Sequence, residues 1–418
     1  MYEISCDVVV IGGGPAGLSA AIAAKKEGAE NVLIIERDNK IGGILQQCIH
    51  PGFGLTYYKE ELTGPEYAER LALEAEDLGV KMLFNSMVLE VKEDIIICVN
   101  KEFGITKVTS KSIILAMGCR ERTRANIMIA GTRPAGIYTA GTAQRLINRQ
   151  NAMVGKNVVI LGSGDIGMIM ARRLTLEGAK VIAVVEIMDF LAGLTRNRVQ
   201  CLDDFNIPLK LSHTVTRITG NLRVEGVYVA KVDENKKPIL ETEEFIPCDT
   251  LLLSVGLIPE NELTKKTEIR MSCVTNGPVV NQYMQTSIDT IFASGNVVHV
   301  NDLVDNVTVE SMLAGKCAAL YSMDKLPVSK EIIEIKTGNN IRYVCPHEIK
   351  MSDENEKIQI YFRVNTPDKN VRLVVKSGDN IIASKKAIRI NPGEMEHLTI
   401  ETGKINDKAL YVEVVKEA

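Results

Sequence analysis

The sequence predicts an α/β protein that contains two copies of one strand–turn–helix unit, followed by a C-terminal all-β region. Three observations support this prediction. An apolar run, a glycine-rich turn and a helix-like stretch occur in this order twice, and in each copy a second apolar run ends on a glutamate. From about residue 328, alternating and β-branched runs replace this pattern. The 418 residues, 45% of them hydrophobic, are enough for two or three domains with their own cores.

The first copy begins with the apolar run 7–11, which is typical of a buried parallel strand. It leads into a glycine-rich turn, 12–17, and a helix-like stretch, 18–26. The next apolar run, 32–35, ends at Glu36.

The second copy repeats this order. The apolar run 158–161 leads into the turn 162–167 and a helix from about 168 to 176, and the strand-like run 181–185 ends at Glu186. Both glutamates stand 19 residues after the third glycine of their turn, at 17 and 167. This shared spacing makes the repeat far more specific than a single glycine motif.

Each part of the unit suits a dinucleotide. The first glycine permits a tight turn, the second lets a pyrophosphate approach the backbone, and the third lets the helix pack on the strand. The helix N-terminus offers N–H groups to the phosphates, and the glutamate accepts hydrogen bonds from a ribose. We therefore predict two Rossmann-like domains. The predicted contacts are Gly12, Gly14, Pro15, Ala16, Gly17 and Glu36 in the first site, and Gly162, Gly164, Asp165, Ile166, Gly167 and Glu186 in the second.

The second site is predicted to prefer NAD(H). A carboxylate at Glu186 suits the 2′-hydroxyl of NAD and repels the 2′-phosphate of NADP. Arg196 and Arg198 lie nearby and keep NADP(H) open as the less favoured alternative. A later strand in each copy ends on a glycine, Gly118 in the first and Gly256 in the second, where backbone is expected to pass close to a ligand.

Composition excludes several classes of protein. The formal net charge of −4 gives no basic field for nucleic acid. The uncharged run 8–24 contains four glycines and a proline, so a strand, turn and helix is favoured over a membrane span or a signal peptide. Nine cysteines without a C-x-x-C pair indicate reduced thiols and a cytoplasmic protein. No metal site is predicted.

With these motifs the sequence resembles the flavoproteins with two dinucleotide-binding domains, the thioredoxin reductase-like group of pyridine nucleotide–disulfide oxidoreductases. The late segment 286–296, TSIDTIFASGN, matches the group's second FAD motif, with Asn296 where an aspartate is usual. The resemblance implies that the first turn binds FAD and the second binds NAD(P)H. It also implies a discontinuous FAD domain, 1–122 and 275–327, around a nucleotide domain, 123–274, with a C-terminal β domain at 328–418.

The resemblance adds further cofactor contacts to those found from the glycine turns. They are Arg37, Gly42, Gly43, Val88, Ala116, Gly118, Gly295 and Asn296 for FAD, and Gly256 for the nucleotide. The C-terminal domain lies outside the resemblance. A docking or oligomerisation module and a stabilising appendage are both open for it.

The cysteine pair of the disulfide reductases is missing, because only Cys48 follows Gly42 and Gly43. The segments 42–50, 118–122 and 257–262 resemble instead a bacterial subfamily without the pair. Its members are similar to FAD subunits of opine oxidase, hydrogen cyanide synthase and hydroxyproline dehydrogenase, and to flavoproteins that accompany anaerobic glycerol-3-phosphate dehydrogenase. This resemblance implies a homo- or hetero-oligomer with a partner flavoprotein or iron–sulfur subunit.

Three functions follow from these observations. The first is an FAD-dependent NAD(H) oxidoreductase that exchanges electrons with a partner subunit. The second is a stand-alone NADH oxidase or peroxidase with Cys48 as its catalytic thiolate, the alternative being that Cys48 only packs beneath the flavin. The third is a nucleotide-sensing subunit without catalysis.

Overall fold

The computed structural model describes residues 1–328 and 331–416, and the chain forms two compact units. The first unit consists of Met1–Cys119 and Pro259–Ala418, and the second is the continuous segment Arg120–Ile258. These limits fall at 119/120 and 258/259, whereas the predicted domain limits are 122/123 and 274/275. Residues 329–330 and 417–418, which the prediction included in the C-terminal domain, lie outside the described residues.

The predicted α/β class is confirmed. The first unit begins with a twisted sheet in which β1 is central, because its residues Val8, Val9 and Val10 are buried on both faces, as in other parallel sheets. β1 pairs in parallel with β2 on one side and β8 on the other. The strands of this part are β1 Tyr2–Ile11, β2 Val32–Ile35, β3 Pro51–Phe53, β4 Leu62–Thr63, β5 Lys81–Leu83, β6 Ser86–Lys92, β7 Ile95–Asn100 and β8 Gly104–Leu115.

Two helices lie between the strands of this part of the chain, of which β3 and β4 form a separate two-stranded sheet. Helix α1 spans Pro15–Glu27 and α2 spans Gly64–Asp77. α1 begins three residues before the predicted start, because Pro15 occupies its first turn, where a missing N–H costs nothing. Thr63 and Glu66 form a capping box at the start of α2. A short 3-10 helix, Gly43–Gln47, lies between β2 and β3.

The second unit repeats the parallel arrangement. Its five-stranded parallel sheet has the order β11-β18-β12-β13-β14, and a second sheet has the order β10-β15-β16-β17. The elements from here to the return into the first unit are β9 Cys119–Glu121, β10 Ala130–Gly131, β11 Ile137–Thr139, α3 Ala140–Gln150, β12 Asn157–Leu161, α4 Asp165–Leu176, β13 Lys180–Val185, α5 Thr195–Cys201, β14 Leu209–Lys210, β15 His213–Gly220, β16 Val224–Lys231, β17 Glu244–Pro247, β18 Thr250–Leu253 and β19 Leu257–Pro259.

The chain then completes the first sheet. Strand β20, Ile291–Ala293, pairs in parallel with β8, and helix α6, Val304–Ser322, packs along α1. Gly315 makes this approach possible, since a Cβ there would lie 1.9 Å from the carbonyl oxygen of Ala20. The described helices include none long and apolar enough to cross a membrane.

The C-terminal region is β-rich, as predicted. A five-stranded sheet, β23-β21-β28-β25-β26, and a three-stranded sheet, β22-β24-β27, enclose one apolar core that includes Phe362 and Leu373. The strands are β21 Glu331–Thr337, β22 Ile341–Cys345, β23 Glu348–Met351, β24 Lys357–Val364, β25 Asp368–Ser377, β26 Asn380–Ile390, β27 Glu396–Glu401 and β28 Ala409–Lys416.

Candidate dinucleotide sites

The first glycine turn connects β1 to α1, and its glycines are required for different reasons. Gly12 has a φ of +106°, and a Cβ there would lie 2.5 Å from the carbonyl oxygen of Ala116. A Cβ at Gly17 would lie 1.8 Å from the carbonyl oxygen of Gly12. A Cβ at Gly14 would meet only the Cα of Gly43, at 4.0 Å. The fold therefore requires Gly12 and Gly17, whereas Gly14 leaves space that a ligand could use.

The N-terminus of α1 faces this space with uncapped N–H groups. Its N-cap is Gly14, which has no side chain to cap the helix, and the first-turn residues Pro15 and Ala16 carry no charge. The positive end of the helix dipole and these N–H groups suit an anion such as a pyrophosphate. The structure also brings Gly295 here, since a Cβ on Gly295 would lie 2.9 Å from that of Ala16.

Glu36 holds the first turn in place. Its Oε2 accepts a hydrogen bond from the Gly13 N–H at 2.7 Å, and its Oε1 accepts from the Asp38 N–H, also at 2.7 Å. The carboxylate is buried, and each oxygen keeps a lone pair for a further donor. A ribose hydroxyl is such a donor. The neighbouring Arg37 is exposed.

The other residues predicted for FAD are only partly brought together. Gly43 faces the turn, because its Cβ would lie 2.9 Å from the Cα of Gly14, and Gly42 precedes it with a φ of +105°. Ala116 contacts Gly12, and Gly118 has a φ of +72° with open space where a Cβ would be. Val88 lies in β6 with its side chain in the core rather than at the turn.

Asn296 presents a donor where a carboxylate would present an acceptor. Its Oδ1 accepts a hydrogen bond from the Asn301 N–H at 2.9 Å, which orients the amide so that Nδ2 lies 3.6 Å from the Cys119 sulfur. The sulfur is a weak acceptor, so the NH₂ group can also donate to a ligand. The exchange of aspartate for asparagine therefore reverses the polarity of this contact.

The second glycine turn has the same construction. Gly162 has a φ of +99°, and a Cβ there would lie 2.0 Å from the carbonyl oxygen of Ser254. The Gly167 N–H donates to Ser254 Oγ at 3.1 Å, so a serine from β18's end anchors the third glycine. Gly164 is the uncapped N-cap of α4. Ile166 is half-buried against the core of this unit, and Gly256 has a φ of +99°.

Glu186 repeats the role of Glu36. Its Oε2 accepts from the Ser163 N–H at 2.8 Å and its Oε1 accepts from the Met188 N–H at 2.9 Å. In both sites the bond to the turn spans 23 residues. The carboxylate of Asp165, in the first turn of α4, already has hydrogen-bond donors. Its Oδ1 accepts from the Leu194 N–H at 2.8 Å and from Asn197 Nδ2 at 2.6 Å. Both sites thus fit the pyrophosphate and ribose of a dinucleotide.

Cys48 has the environment of a packed thiol. It ends the 3-10 helix 43–47, it is 8% exposed, and its thiol donates to the carbonyl oxygen of Ile44 at 3.4 Å. Burial raises the pKa of this thiol to about 12. The Cys48 Cβ also packs against Gly64, since a Cβ added to Gly64 would lie 2.8 Å from it. These features favour the packing interpretation over a thiolate at neutral pH.

Sequence reasoning missed one polar cluster in the first unit. Among the described residues, His299, Glu310 and Cys345 place an imidazole nitrogen, a carboxylate oxygen and a thiol within 4.8 Å of one another, and all three are buried. His299 Nε2 lies 2.7 Å from Glu310 Oε2. These residues come from three distant segments, and the only signal was the position of His299 three residues after Asn296.

Comparison with known proteins agrees with this geometry. The profile of the pyridine nucleotide-disulphide oxidoreductase family matches residues 6–314. Hydrogen cyanide synthase subunit HcnB of Pseudomonas protegens is 25% identical over 76% of this chain and 70% of its own length. The NAD(P)H coenzyme A polysulfide/persulfide reductase of Pyrococcus horikoshii is 26% identical over 71% of this chain and 64% of its own length.

The fold has a counterpart among solved structures. The thioredoxin reductase of T. acidophilum superposes with a TM-score of 0.62 at 23% identity, and the match covers 77% of this chain and 99% of that one. The profile spans the two glycine turns described above. The chain therefore belongs to the pyridine nucleotide-disulphide oxidoreductase family, whose members are oxidoreductases that use FAD and a pyridine nucleotide.

Proposed function

We propose that this chain is the FAD- and NAD(H)-binding subunit of a dehydrogenase complex and that it exchanges electrons with a partner redox protein. The observation that carries the proposal is that the sequence lacks the cysteine pair of a disulfide reductase and that Cys48 is a buried thiol. The sequence has no C-x-x-C pair, and the one cysteine beside the Gly42–Gly43 turn, Cys48, is a buried thiol with a raised pKa. A disulfide relay through this chain is therefore disfavoured, and another molecule must accept or supply the electrons.

The chain's own residues bind and orient the cofactors. Gly14 and the N-terminus of α1 would hold the pyrophosphate of FAD, Glu36 its ribose, and the Asn296 amide would donate to the ribityl chain. When bound, FAD supplies hydride exchange with the nicotinamide and electron transfer to a further carrier. The Asn296 contact adds no negative charge beside the flavin, in contrast to an aspartate.

NAD(H) is the proposed nucleotide because Glu186 is already fixed by the turn. With Ser163 and Met188 holding both oxygens, the carboxylate cannot swing away from a 2′-phosphate without losing these bonds. A ribose 2′-hydroxyl can instead donate to it. NADP(H) would have to meet a buried negative charge.

A partner is supported by one relative and by chemistry. HcnB is named as a subunit of a synthase. By analogy, a second flavoprotein would oxidise the organic substrate here, and an iron–sulfur protein would carry electrons between the two. All nine cysteines lie among the described residues and none forms a disulfide there, which supports a reducing compartment such as the cytoplasm.

An anaerobic titration tests the proposal. FAD-loaded protein is titrated with NADH and, separately, with NADPH while flavin absorbance is followed. We expect bleaching by NADH at lower concentration than by NADPH, electron transfer to an artificial one-electron acceptor, and no turnover with a disulfide substrate. The Gly164→Ala variant is the control, because it should weaken NADH binding and keep FAD.

Two results would contradict the proposal. Absence of bleaching by either nucleotide would indicate a sensing subunit. Peroxide turnover by the isolated chain that disappears in Cys48→Ser would indicate a stand-alone peroxidase.

A further inference from the structure

The buried cluster of His299, Glu310 and Cys345 joins the C-terminal β domain to the FAD motif. Glu310 lies on α6 and uses both carboxylate oxygens. Its Oε1 accepts a hydrogen bond from the Gly295 N–H at 2.6 Å, and its Oε2 lies 2.7 Å from His299 Nε2. Gly295 belongs to the turn that contacts Ala16 of the first glycine motif. The pair therefore acts directly on a segment of the candidate FAD site.

Side chains of the C-terminal domain pack against the pair formed by His299 and Glu310. Cys345, at the end of β22, is a member of the cluster, and the Tyr343 hydroxyl lies 3.5 Å from His299 Nδ1. The Tyr361 ring packs 6.3 Å from the imidazole. His299 is fully buried as a result.

The same domain holds the chain that follows the turn. Arg363 Nη2 donates to the carbonyl oxygen of Val300 at 3.2 Å, and the Met395 N–H donates to Asp302 Oδ2 at 3.0 Å. Asn301 lies between Val300 and Asp302, and its N–H orients the Asn296 amide. Contacts from β24 and the β26–β27 loop thus hold the two neighbours of Asn301, the residue that orients the predicted ribityl contact.

His299 and Glu310 depend on each other's charge. Burial opposes a charged imidazole, but Cys345 and Glu310 outweigh it and hold the pKa of His299 well above its usual value. A buried carboxylate without its cation is costly, whereas the paired arrangement satisfies both groups. The carboxylate can accept from Gly295 at low cost only while His299 is present.

We propose that His299 and Glu310, enclosed by the C-terminal β domain, are positioning residues that hold the 295–299 turn in its FAD-binding geometry. The C-terminal domain is then a part of the flavin site rather than an appendage. This inference rests on FAD binding, one element of the proposed function, and not on NADH oxidation or on a partner.

A metal ion is the competing occupant of the cluster. Zinc takes nitrogen, oxygen and sulfur donors, but tetrahedral zinc with bonds near 2.0–2.1 Å keeps N and O ligands about 3.3 Å apart. The imidazole and carboxylate are closer than this, at 2.7 Å, which is the distance of a charge-assisted hydrogen bond. The geometry therefore favours the ion pair.

The test is a rescue experiment on FAD affinity. Apoprotein is prepared from the wild type and from His299→Leu, and FAD binding is measured by quenching of flavin fluorescence. His299→Leu leaves the Glu310 charge buried and unpaired, and we expect the FAD dissociation constant to rise roughly 10- to 100-fold. Adding Glu310→Gln should recover most of this loss, because the amide oxygen still accepts from Gly295 and no charge is left unpaired.

A matched tyrosine pair covers the case in which His299→Leu does not fold. Tyr343→Phe removes the hydroxyl beside His299, and Tyr283→Phe removes a hydroxyl whose partner, at 2.7 Å, is Glu356 of the same domain rather than a residue of the turn. We expect the first variant to weaken FAD binding and the second to leave it within about twofold.

Three results would overturn the inference. They are an unchanged FAD dissociation constant in folded His299→Leu, failure of Glu310→Gln to restore affinity, and a stoichiometric metal ion in the purified protein that Cys345→Ser abolishes. If the wild type bound no FAD, the proposed function would fail as well. If it bound FAD but NADH did not reduce it, only the proposed function would fail.

Discussion

Gly14 allows ligand binding to be separated from folding. Its backbone angles, φ −76° and ψ −173°, are open to alanine, and the added Cβ would meet only Gly43 Cα at 4.0 Å. Alanine is a poorer N-cap than glycine but restricts the unfolded chain, so the free energy of unfolding of the apoprotein should change by less than about 1 kcal/mol. Gly17→Ala, with its 1.8 Å approach to Gly12, should instead prevent folding.

The methyl group of Gly14→Ala occupies the space where the pyrophosphate would approach the helix. Losing one hydrogen bond from backbone N–H to a charged oxygen costs about 1.5–3 kcal/mol, so the FAD dissociation constant should rise roughly 10- to 150-fold. The assay combines thermal unfolding of apoprotein with fluorescence titration of FAD.

Gly164→Ala is the matched control for this variant. Its φ of −63° and ψ of 160° also admit alanine, with the nearest contact at Ser254 Oγ, 3.2 Å away. It should weaken NADH and spare FAD. If folded Gly14→Ala bound FAD as tightly as the wild type, the assignment of the first turn to the FAD pyrophosphate would be refuted.

Three further predictions concern single residues. Glu186→Gln should lower the preference for NADH over NADPH roughly tenfold in binding titrations, because the 2′-phosphate no longer meets a negative charge; an unchanged ratio would exclude Glu186 as the selector. Cys48→Ala should leave stopped-flow flavin reduction by NADH within about twofold, since a thiol with a pKa of about 12 is not a nucleophile at neutral pH; a large loss would restore the thiolate hypothesis. Burial and the charge of His299 lower the pKa of His347 from 6.5 to about 4, so the unfolded chain binds the extra proton between these values and the free energy of unfolding falls as pH falls. Urea unfolding at several pH values should show this loss reduced in His347→Gln and retained in the wild type.

The repeat units were predictable because their residues obey local rules. The third glycine of each turn lies against the carbonyl oxygen of the first, five residues earlier, and the glutamates follow at the end of the next strand. The β-rich tail was visible in its alternating runs. The start of α1 at Pro15 follows from the tolerance of proline in a first helical turn, which the prediction did not apply.

Contacts between distant segments could not be predicted in the same way. Ser254 bonds the Gly167 N–H across 87 residues, and nothing in the local pattern of β18 marks it. His299, Glu310 and Cys345 stand on a turn, a helix and a strand, so no periodicity links them. The predicted absence of a metal site remains a prediction, and the cluster is the place to test it.

The late position of β20 and α6 has a consequence for synthesis of the chain. The segment 120–258 is continuous, so we expect it to fold once it has left the ribosome. Residues 1–119 can pair β1 with β8, but they must wait for residues 291–322 before β8 gains its further partner β20 and α1 its partner helix α6. During that interval the nascent chain exposes an open strand edge and an apolar helix face, both of which favour aggregation. We expect the inserted segment to become protease-resistant first, and the supply of FAD to matter for yield only after the C-terminal β domain has emerged.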